Sequence, residues 1–343
     1  ATHRGELAVL HIPGDLLTWN GFVNLMDDIA LCWILGMKIV IVVGCRQQVD
    51  DRNGEGTKRS NAHIRVTDSD TLRILEEEAG FVRFEIERQL NRCLRLHGGG
   101  DVSKTPNAPN GNVLSGNFFS SKPFGVIDGV DYQHTGRPKH LNVKRVLDIV
   151  DNGDIVLLTP VGIGPTGEGM NVNSESLAAF VAASLCANKV IYCSNDSMLL
   201  KDNDSGKTVQ NFRVKDSLAL LKHFEVDVHG NYFVTVGKET EEKNFREVAM
   251  LMKLGWATRA LQDGVERAHI IAPTNGALIE ELFTAKDGTG TCISHDTYES
   301  VHPEDDSGDN EMSNTVDYRE EFVAALAEEH EPKWPKAIGV DLQ

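Results

Sequence analysis

An α/β architecture with a mainly parallel central sheet is predicted by three features of this 343-residue sequence. Unbroken β-branched runs such as Lys38–Val43 (KIVIVV) mark strands covered on both faces. These runs alternate with segments whose apolar residues recur every three or four positions, the period of a helix packed on one side. Residues 1–295 also show no repeat of roughly 20–50 residues and no long linker, so one continuous domain is expected there.

The first element is a short buried strand at Glu6–His11, followed by a turn at Ile12-Pro13-Gly14-Asp15. A helix over residues 20–35 comes next, because Phe22, Leu25, Met26, Ile29 and Trp33 share a face. Gly36 ends it, and Lys38–Val43 completes a β-α-β unit bounded by Gly44. A long amphipathic helix is predicted over 68–96, with Leu72, Leu75, Ala79, Val82, Ile86 and Leu90 on its apolar face. Thr67 or Asp68 is its expected N-cap. Residues 112–140 are β-rich, aromatic and studded with turn formers, the pattern of a β-hairpin flap. Alternation resumes with a helix at 143–150, a strand at 154–159, a Gly-rich loop at 161–170, a helix at 174–185 and a strand at 189–193. Residues 224–236 predict a hairpin turning at Gly230-Asn231, followed by helices at 245–254 and 258–263 and a strand at 268–272.

Hydrophobic residues at 41% and charged residues at 25% exclude collagen-like, coiled-coil and wholly disordered classes. The formal charge of −17, from 34 basic and 51 acidic residues, leaves no general basic field for nucleic acid. That charge is unevenly placed. Between Asp296 and Glu331 thirteen acids face a single base, Arg319, so this segment carries −12 and the rest of the chain only −5. Residues 296–343 are therefore expected to be a flexible acidic tail. The six cysteines, Cys32, Cys45, Cys93, Cys186, Cys193 and Cys292, form no CxxC pair and have no histidine at zinc-ligand spacing, so free thiols and no metal are expected. No run of about 18 apolar residues is present, and no membrane partner is expected.

His97-Gly98-Gly99-Gly100 is the most conspicuous glycine string, yet it follows a helix instead of opening one. A phosphate cradle needs the free N–H groups of a helix N-terminus, so a helix C-terminal break explains these glycines better. More specific is an ordered set of segments: Arg65-Val66-Thr67-Asp68, Ser115-Gly116-Asn117-Phe118, residues Val126 to Tyr132 (VIDGVDY), His134-Thr135-Gly136-Arg137, Pro165-Thr166-Gly167-Glu168, Asn171-Val172-Asn173, Glu281-Leu282-Phe283-Thr284 and Asp287-Gly288-Thr289-Gly290-Thr291. Together they resemble the amino-acid-kinase-like domain of the N-acetylglutamate synthase family, over roughly residues 3–300, and more distantly N-acetylglutamate kinase. The resemblance implies a three-layer α-β-α amino-acid-kinase fold, also called carbamate-kinase-like, with a β-hairpin flap.

The resemblance also distinguishes the two families. An active kinase is expected to carry a lysine in a K-x-G-G turn after the first strand and three glycines after the second, to hold the transferred phosphoryl group. Here those positions read His11-Ile12-Pro13-Gly14 and Gly44-Cys45-Arg46, and the acid that follows the Asn171-Val172-Asn173 motif is Glu175 where the kinase has an aspartate. No catalytic residue and no cofactor are expected. His11, Gly14, Gly44, Arg46, Arg65, Asn171, Asn173 and Glu175 are read as a vestigial N-acetylglutamate and nucleotide site. By position, the resemblance implies an L-arginine effector site at His269, Glu281, Gly288, Gly290 and Thr291. A carboxylate can pair with a cation there, and loop amides can receive an α-carboxylate. Asp131, His134 and Arg137 invite assignment as a catalytic cluster, but they lie in the polar flap, where stabilising the flap or lining an oligomer contact accounts for them.

In the synthase family, acetyl transfer from acetyl-CoA to glutamate belongs to a separate C-terminal domain. The 48 residues after His295 are too few and too acidic for it. The expectation is an arginine-sensing regulatory domain in arginine biosynthesis, with domain limits 1–295, that does not acetylate glutamate alone. A homo-oligomer and a separate acetyltransferase subunit are the partners implied. The compartment implied is the cytoplasm in a bacterium, or the mitochondrial or plastid matrix in a eukaryote. A divergent N-acetylglutamate kinase-like phosphotransferase using Arg46 or another lysine, and a non-catalytic interaction module working through the tail, are the alternatives.

Overall fold

The computed structural model describes residues 3–54, 64–97, 111–194, 200, 207–241, 245–272, 274, 276–283 and 289–295. Gly288, all three glycines of the His97–Gly100 string, and the acidic tail lie outside the described residues. The elements run β1 (Leu7–Ile12), α1 (Phe22–Ile34), β2 (Lys38–Val43), α2 (Arg46–Asn53), α3 (Ser69–His97), β3 (Val113–Ser115), β4 (Phe119–Pro123), β5 (Val126–Ile127), β6 (Val130–Asp131) and β7 (Thr135–Leu141). They continue with α4 (Val143–Asp151), β8 (Ile155–Leu158), β9 (Val161–Ile163), β10 (Gly169–Val172), α5 (Ser174–Ser184), β11 (Lys189–Cys193), β12 (Asn211–Arg213) and α6 (Val214–His223). The last are β13 (Val226–His229), β14 (Phe233–Val236), α7 (Lys238–Glu241), α8 (Phe245–Gln262), β15 (Arg267–Ile271), α9 (Ala277–Phe283) and β16 (Thr291–Ser294).

Among the described residues eight strands form the main sheet, in the order β12-β16-β15-β11-β1-β2-β8-β3. Every neighbouring pair is parallel except β15 with β16. Because successive side chains point to opposite faces, Val9, Val40 and Val42 enter one core with residues of α4, α5, α6 and α8. Ala8, Leu10, Ile39 and Ile41 enter a second core with residues of α1, α3 and α9. The sheet is thus sandwiched between helices, and the apolar runs of β1 and β2 reflect burial on both faces.

Two expectations needed correction. The Gly-rich loop at 161–170 is strands β9 and β10, which close with β4 and β7 into a small barrel that extends the flap. Gly162 permits that closure, since a Cβ there would lie 2.7 Å from Ser121 Oγ and 2.8 Å from the Phe119 ring. The two helices at 245–254 and 258–263 are a single helix, α8. Its interior glycine, Gly255, does not break it but admits the hairpin β13-β14, because a Cβ would stand 2.6 Å from Val228 Cγ2. Helix α2 gave no periodic signal because Val49 is its only buried residue. Asp68, one of the two expected caps of α3, accepts the Thr71 N–H at 2.8 Å.

Gly255→Ala should therefore lower stability by about 1–2 kcal/mol, although alanine is ordinarily the better helix residue. In a Val228→Ala background the same change should become neutral or stabilising. Urea unfolding of the four chains of this cycle measures both effects.

Candidate functional site

Strands β1 and β2, the start of α5 and the middle of α8 converge on a cavity under the hairpin β13-β14. All eight residues read from the sequence as a vestigial site, His11, Gly14, Gly44, Arg46, Arg65, Asn171, Asn173 and Glu175, line it. Phe124, Phe233 and Trp256 add an aromatic surface to its lining, with Arg137 over both Phe124 and Phe233.

The polar end is held by a buried ion pair that the sequence reading missed. Lys253 Nζ on α8 lies 3.0 Å from Glu175 Oε1 in the first turn of α5, and both side chains are almost wholly buried. Burial alone would raise the Glu175 pKa, but Lys253, then His11 and Arg46, outweigh it and hold the carboxyl down at about 2. The signal for Lys253 was present: it is the one charged residue in Val248–Trp256 (VAMLMKLGW), a stretch otherwise fit for the core. His11 is 1% exposed, and its Nε2 lies 2.9 Å from Ser174 Oγ. Burial pushes its pKa down to about 4, against the opposing pull of Glu175, so the imidazole is neutral at pH 7.

The turns after β1 and β2 are filled by protein. Gln48 Nε2 donates to the Gly14 carbonyl at 2.7 Å, and a Cβ on Gly14 would meet Gln48 Oε1 at 2.2 Å. A Cβ on Gly44 would stand 2.9 Å from Ser174 Oγ. Arg65 Nη2 donates to Asp50 Oδ1 at 2.7 Å. Asn171 Nδ2 donates to Thr67 Oγ1 at 2.8 Å, and Asn173 caps α5 by accepting the Ser176 N–H at 2.7 Å. Each is engaged in holding the scaffold.

A second constellation lies where β15, β16 and α9 meet. His269 Nδ1 donates to Glu281 Oε1 at 2.7 Å, and the Gly290 N–H donates to Glu281 Oε2 at 3.0 Å. Burial raises the Glu281 pKa, but the hydrogen bond and charge of His269 and the amides of Gly290 and Thr289 bring it below the ordinary carboxylate value. His269 Nε2 and Thr291 Oγ1 are buried without a hydrogen-bond partner among the described residues. Asp28 on α1 accepts the Leu278 and Gly276 amides, which anchors α9. Four of the five residues assigned to the effector site, His269, Glu281, Gly290 and Thr291, are thus brought together; Gly288 lies outside the described residues.

The flap residues are not gathered. Asp131 accepts the Gln133 N–H at 3.0 Å, His134 Nε2 lies 3.5 Å from Ser69 Oγ, and Arg137 sits over aromatic rings. Among the described residues no cluster of three metal-ligating side chains occurs and no helix is long and apolar enough to cross a membrane.

The sequence model described as "Amino acid kinase family" matches residues 6–272. An amino-acid acetyltransferase of Serratia proteamaculans is 32% identical over 304 residues, covering 87% of this chain and 63% of the relative. The enzyme of that name from Yersinia pseudotuberculosis is 34% identical over 306 residues, with the same two coverages. The chain spans 63% of the length of these curated relatives. Among solved structures, N-acetylglutamate synthase of Neisseria gonorrhoeae, crystallised with coenzyme A and L-arginine, superposes with a TM-score of 0.69 at 28% identity. That match covers 86% of this chain and 62% of the synthase. A carbamate kinase of Giardia shares the fold at a TM-score of 0.55 and 13% identity, covering 84% of this chain and 99% of the kinase.

Lys253→Met should cost about 3–5 kcal/mol, because Glu175 is left charged and buried, while Glu175→Gln with Lys253→Met should cost less than the single change. Denaturant unfolding of the set measures this. His11 adds an acid limb: its folded pKa lies below its unfolded one, so the unfolded chain takes up the proton first. Stability then falls as pH drops from about 6.5 towards about 4, by roughly 3 kcal/mol in full. His11→Asn should flatten that limb, most clearly between pH 5 and 6.5, above the range in which Glu175 titrates.

Proposed function

The chain belongs to the amino acid kinase family, and on that premise we propose that it is an arginine-sensing regulatory domain of the N-acetylglutamate synthase type, working in arginine biosynthesis. The observation that carries the proposal is the buried arrangement of His269, Glu281 and Gly290 beside two polar atoms without partners. L-arginine offers a guanidinium and an α-carboxylate. Glu281 is an anion held in a fixed orientation, and a carboxylate has about four lone-pair sites, so it can accept from a guanidinium beside or in place of its present donors. The Gly290 amide and Thr291 hydroxyl are donors of the type an α-carboxylate needs. The Neisseria gonorrhoeae synthase, which was crystallised with L-arginine, supplies the ligand class.

The cavity supports a regulatory reading over phosphoryl transfer. A transferred phosphoryl group needs cations and free amides around it. Here His11 is neutral at pH 7, Pro13 has no N–H, Lys253 is bound to Glu175, and Gln48 packs on Gly14. The match covers 63% of those relatives, and on this reading acetyl transfer, the activity their name gives, belongs to the part of them beyond the matched region. The acetyltransferase partner would then be supplied by a separate chain or segment.

Calorimetric titration with L-arginine, ATP and N-acetylglutamate in parallel tests the reading. Arginine should bind, and Glu281→Gln should weaken that binding about tenfold or more, equivalent to about 1.4 kcal/mol. Binding of ATP without arginine would instead favour the phosphotransferase alternative. The purified chain should release no CoA from acetyl-CoA in a glutamate-dependent manner; release would overturn the assignment of acetylation elsewhere.

A further inference from the structure

Strands β4 and β7 of the barrel set Lys122 directly opposite Arg137, and the pairing shifts beyond Ser121 and Pro138, so that Lys139 is the extra residue of a bulge. Like charges directly opposite one another destabilise a strand pair. Burial, then the charges of Arg137 and Lys139, hold the Lys122 ammonium below the ordinary lysine pKa, and no carboxylate opposes them. Arg137 lies 5.9 Å from the centre of the Phe124 ring and 5.4 Å from that of Phe233. The rings orient the guanidinium but do not neutralise it, and its Nε is buried without a hydrogen-bond partner among the described residues. Other arginines are answered: Arg52, Arg65, Arg88 and Arg259 each meet a carboxylate at 2.6–2.8 Å. Among the described residues nothing balances the three cations of the barrel.

The same chain carries the missing charge. Residues 296–331 hold thirteen acids and one base, a net −12. The eight strands of the main sheet span about 34 Å at about 4.8 Å per strand. Glu320 and Glu321 follow His295 by 25 and 26 residues, and an extended chain of that length reaches roughly 80 Å, so every face of the domain is within range. A tether of this kind holds the segment at an effective concentration in about the millimolar range, which lets individually weak surface ion pairs add to one contact.

We propose that the acidic segment 296–331 docks on this face of the barrel in its own chain, its carboxylates pairing with Lys122, Arg137 and Lys139. The tether favours the chain's own segment over an acidic partner in solution. The barrel is favoured over a lone surface lysine because three cations meet there without a counter-charge. The proposal does not depend on arginine binding.

Zero-length carbodiimide coupling of the 343-residue chain, read by peptide mass mapping, tests it, because the reagent joins a carboxylate to a lysine only where the two touch. Lys122 and Lys139 should be joined to carboxylates of residues 296–331 at least about tenfold more often than Lys144, a lysine just beyond β7 whose side chain is 90% exposed. About 1 M NaCl, with a screening length of about 3 Å, should remove those links, a test that needs no substitution. Arg137→Glu with Lys139→Glu should cut the links at Lys122 about tenfold, whereas Arg137→Lys with Lys139→Arg should keep them. In an equal mixture of isotope-labelled and unlabelled chain, both peptides of a link should carry the same label state. Absence of such links, links between differently labelled peptides, links spread evenly over Lys122, Lys139 and Lys144, or links that salt and charge reversal leave unchanged overturn the proposal.

Discussion

The ion pair between Glu175 and Lys253 is the constraint on which the cavity half of this fold depends. A charge buried in a protein interior is tolerated only if it is paired and hydrogen-bonded, so the first turn of α5 and the middle of α8 must meet at one point. Other contacts are arranged around that meeting. Tyr192 on β11 donates its hydroxyl to the Glu175 carbonyl at 3.1 Å, and Asn173 caps α5 immediately before the glutamate. Gly255, two residues beyond Lys253, lets the hairpin β13-β14 press against α8. The hairpin in turn sets Phe233 edge-on to Phe124 of the flap. The position of the cavity's roof is therefore traceable, contact by contact, to one buried pair.

Charge also separates the two constellations. In the cavity, Glu175 is neutralised by a lysine, and the neighbouring imidazole is kept neutral by burial. The pair is symmetric in charge, so Lys253 itself offers no unpaired cation to an anion. At the other site, Glu281 is satisfied by an imidazole and backbone amides, groups whose hydrogen bonds can be exchanged without exposing a permanent cation to a dry interior. Both are buried carboxylates with depressed pKa values, yet the first is costly to open and the second less so.

How much of this was legible in sequence followed the local strength of each signal. Lys38–Val43 and Lys189–Cys193 were readable to the residue, because a strand covered on both faces must be apolar without interruption. The long amphipathic pattern likewise marked α3 within one residue at each end. The barrel was not readable. Strands β9 and β10 have only three and four residues, and their glycines, Gly162 placed against β4 and Gly169 against Glu76 of α3, look like loop glycines in one dimension. Gly255 misled in the same way, since its reason for being small is Val228, 27 positions earlier in the chain. For the cavity, the ordered motifs gathered eight lining residues but not Lys253. A lone lysine in an apolar helix acquires meaning only when its carboxylate partner, far away in sequence, is placed beside it.

A sensor must change where its ligand binds without losing the fold that positions the site, and the distribution of contacts here suits that requirement. Glu281 is held from three directions, by His269 on β15, by the amides at 289–290 leading into β16, and by its own short helix α9. Of these, β15 is locked in the sheet beside β11, whereas α9 has seven residues and β16 four. Short peripheral elements open at lower free energy than central strands. A cation competing for Glu281 would therefore shift α9 and the loop before β16 first, while the sheet and the Glu175–Lys253 pair stay in place. On the proposed reading, the response to arginine is confined to the elements that can yield, and α1 is the first to feel it, because Asp28 holds the start of α9 through the Gly276 and Leu278 amides.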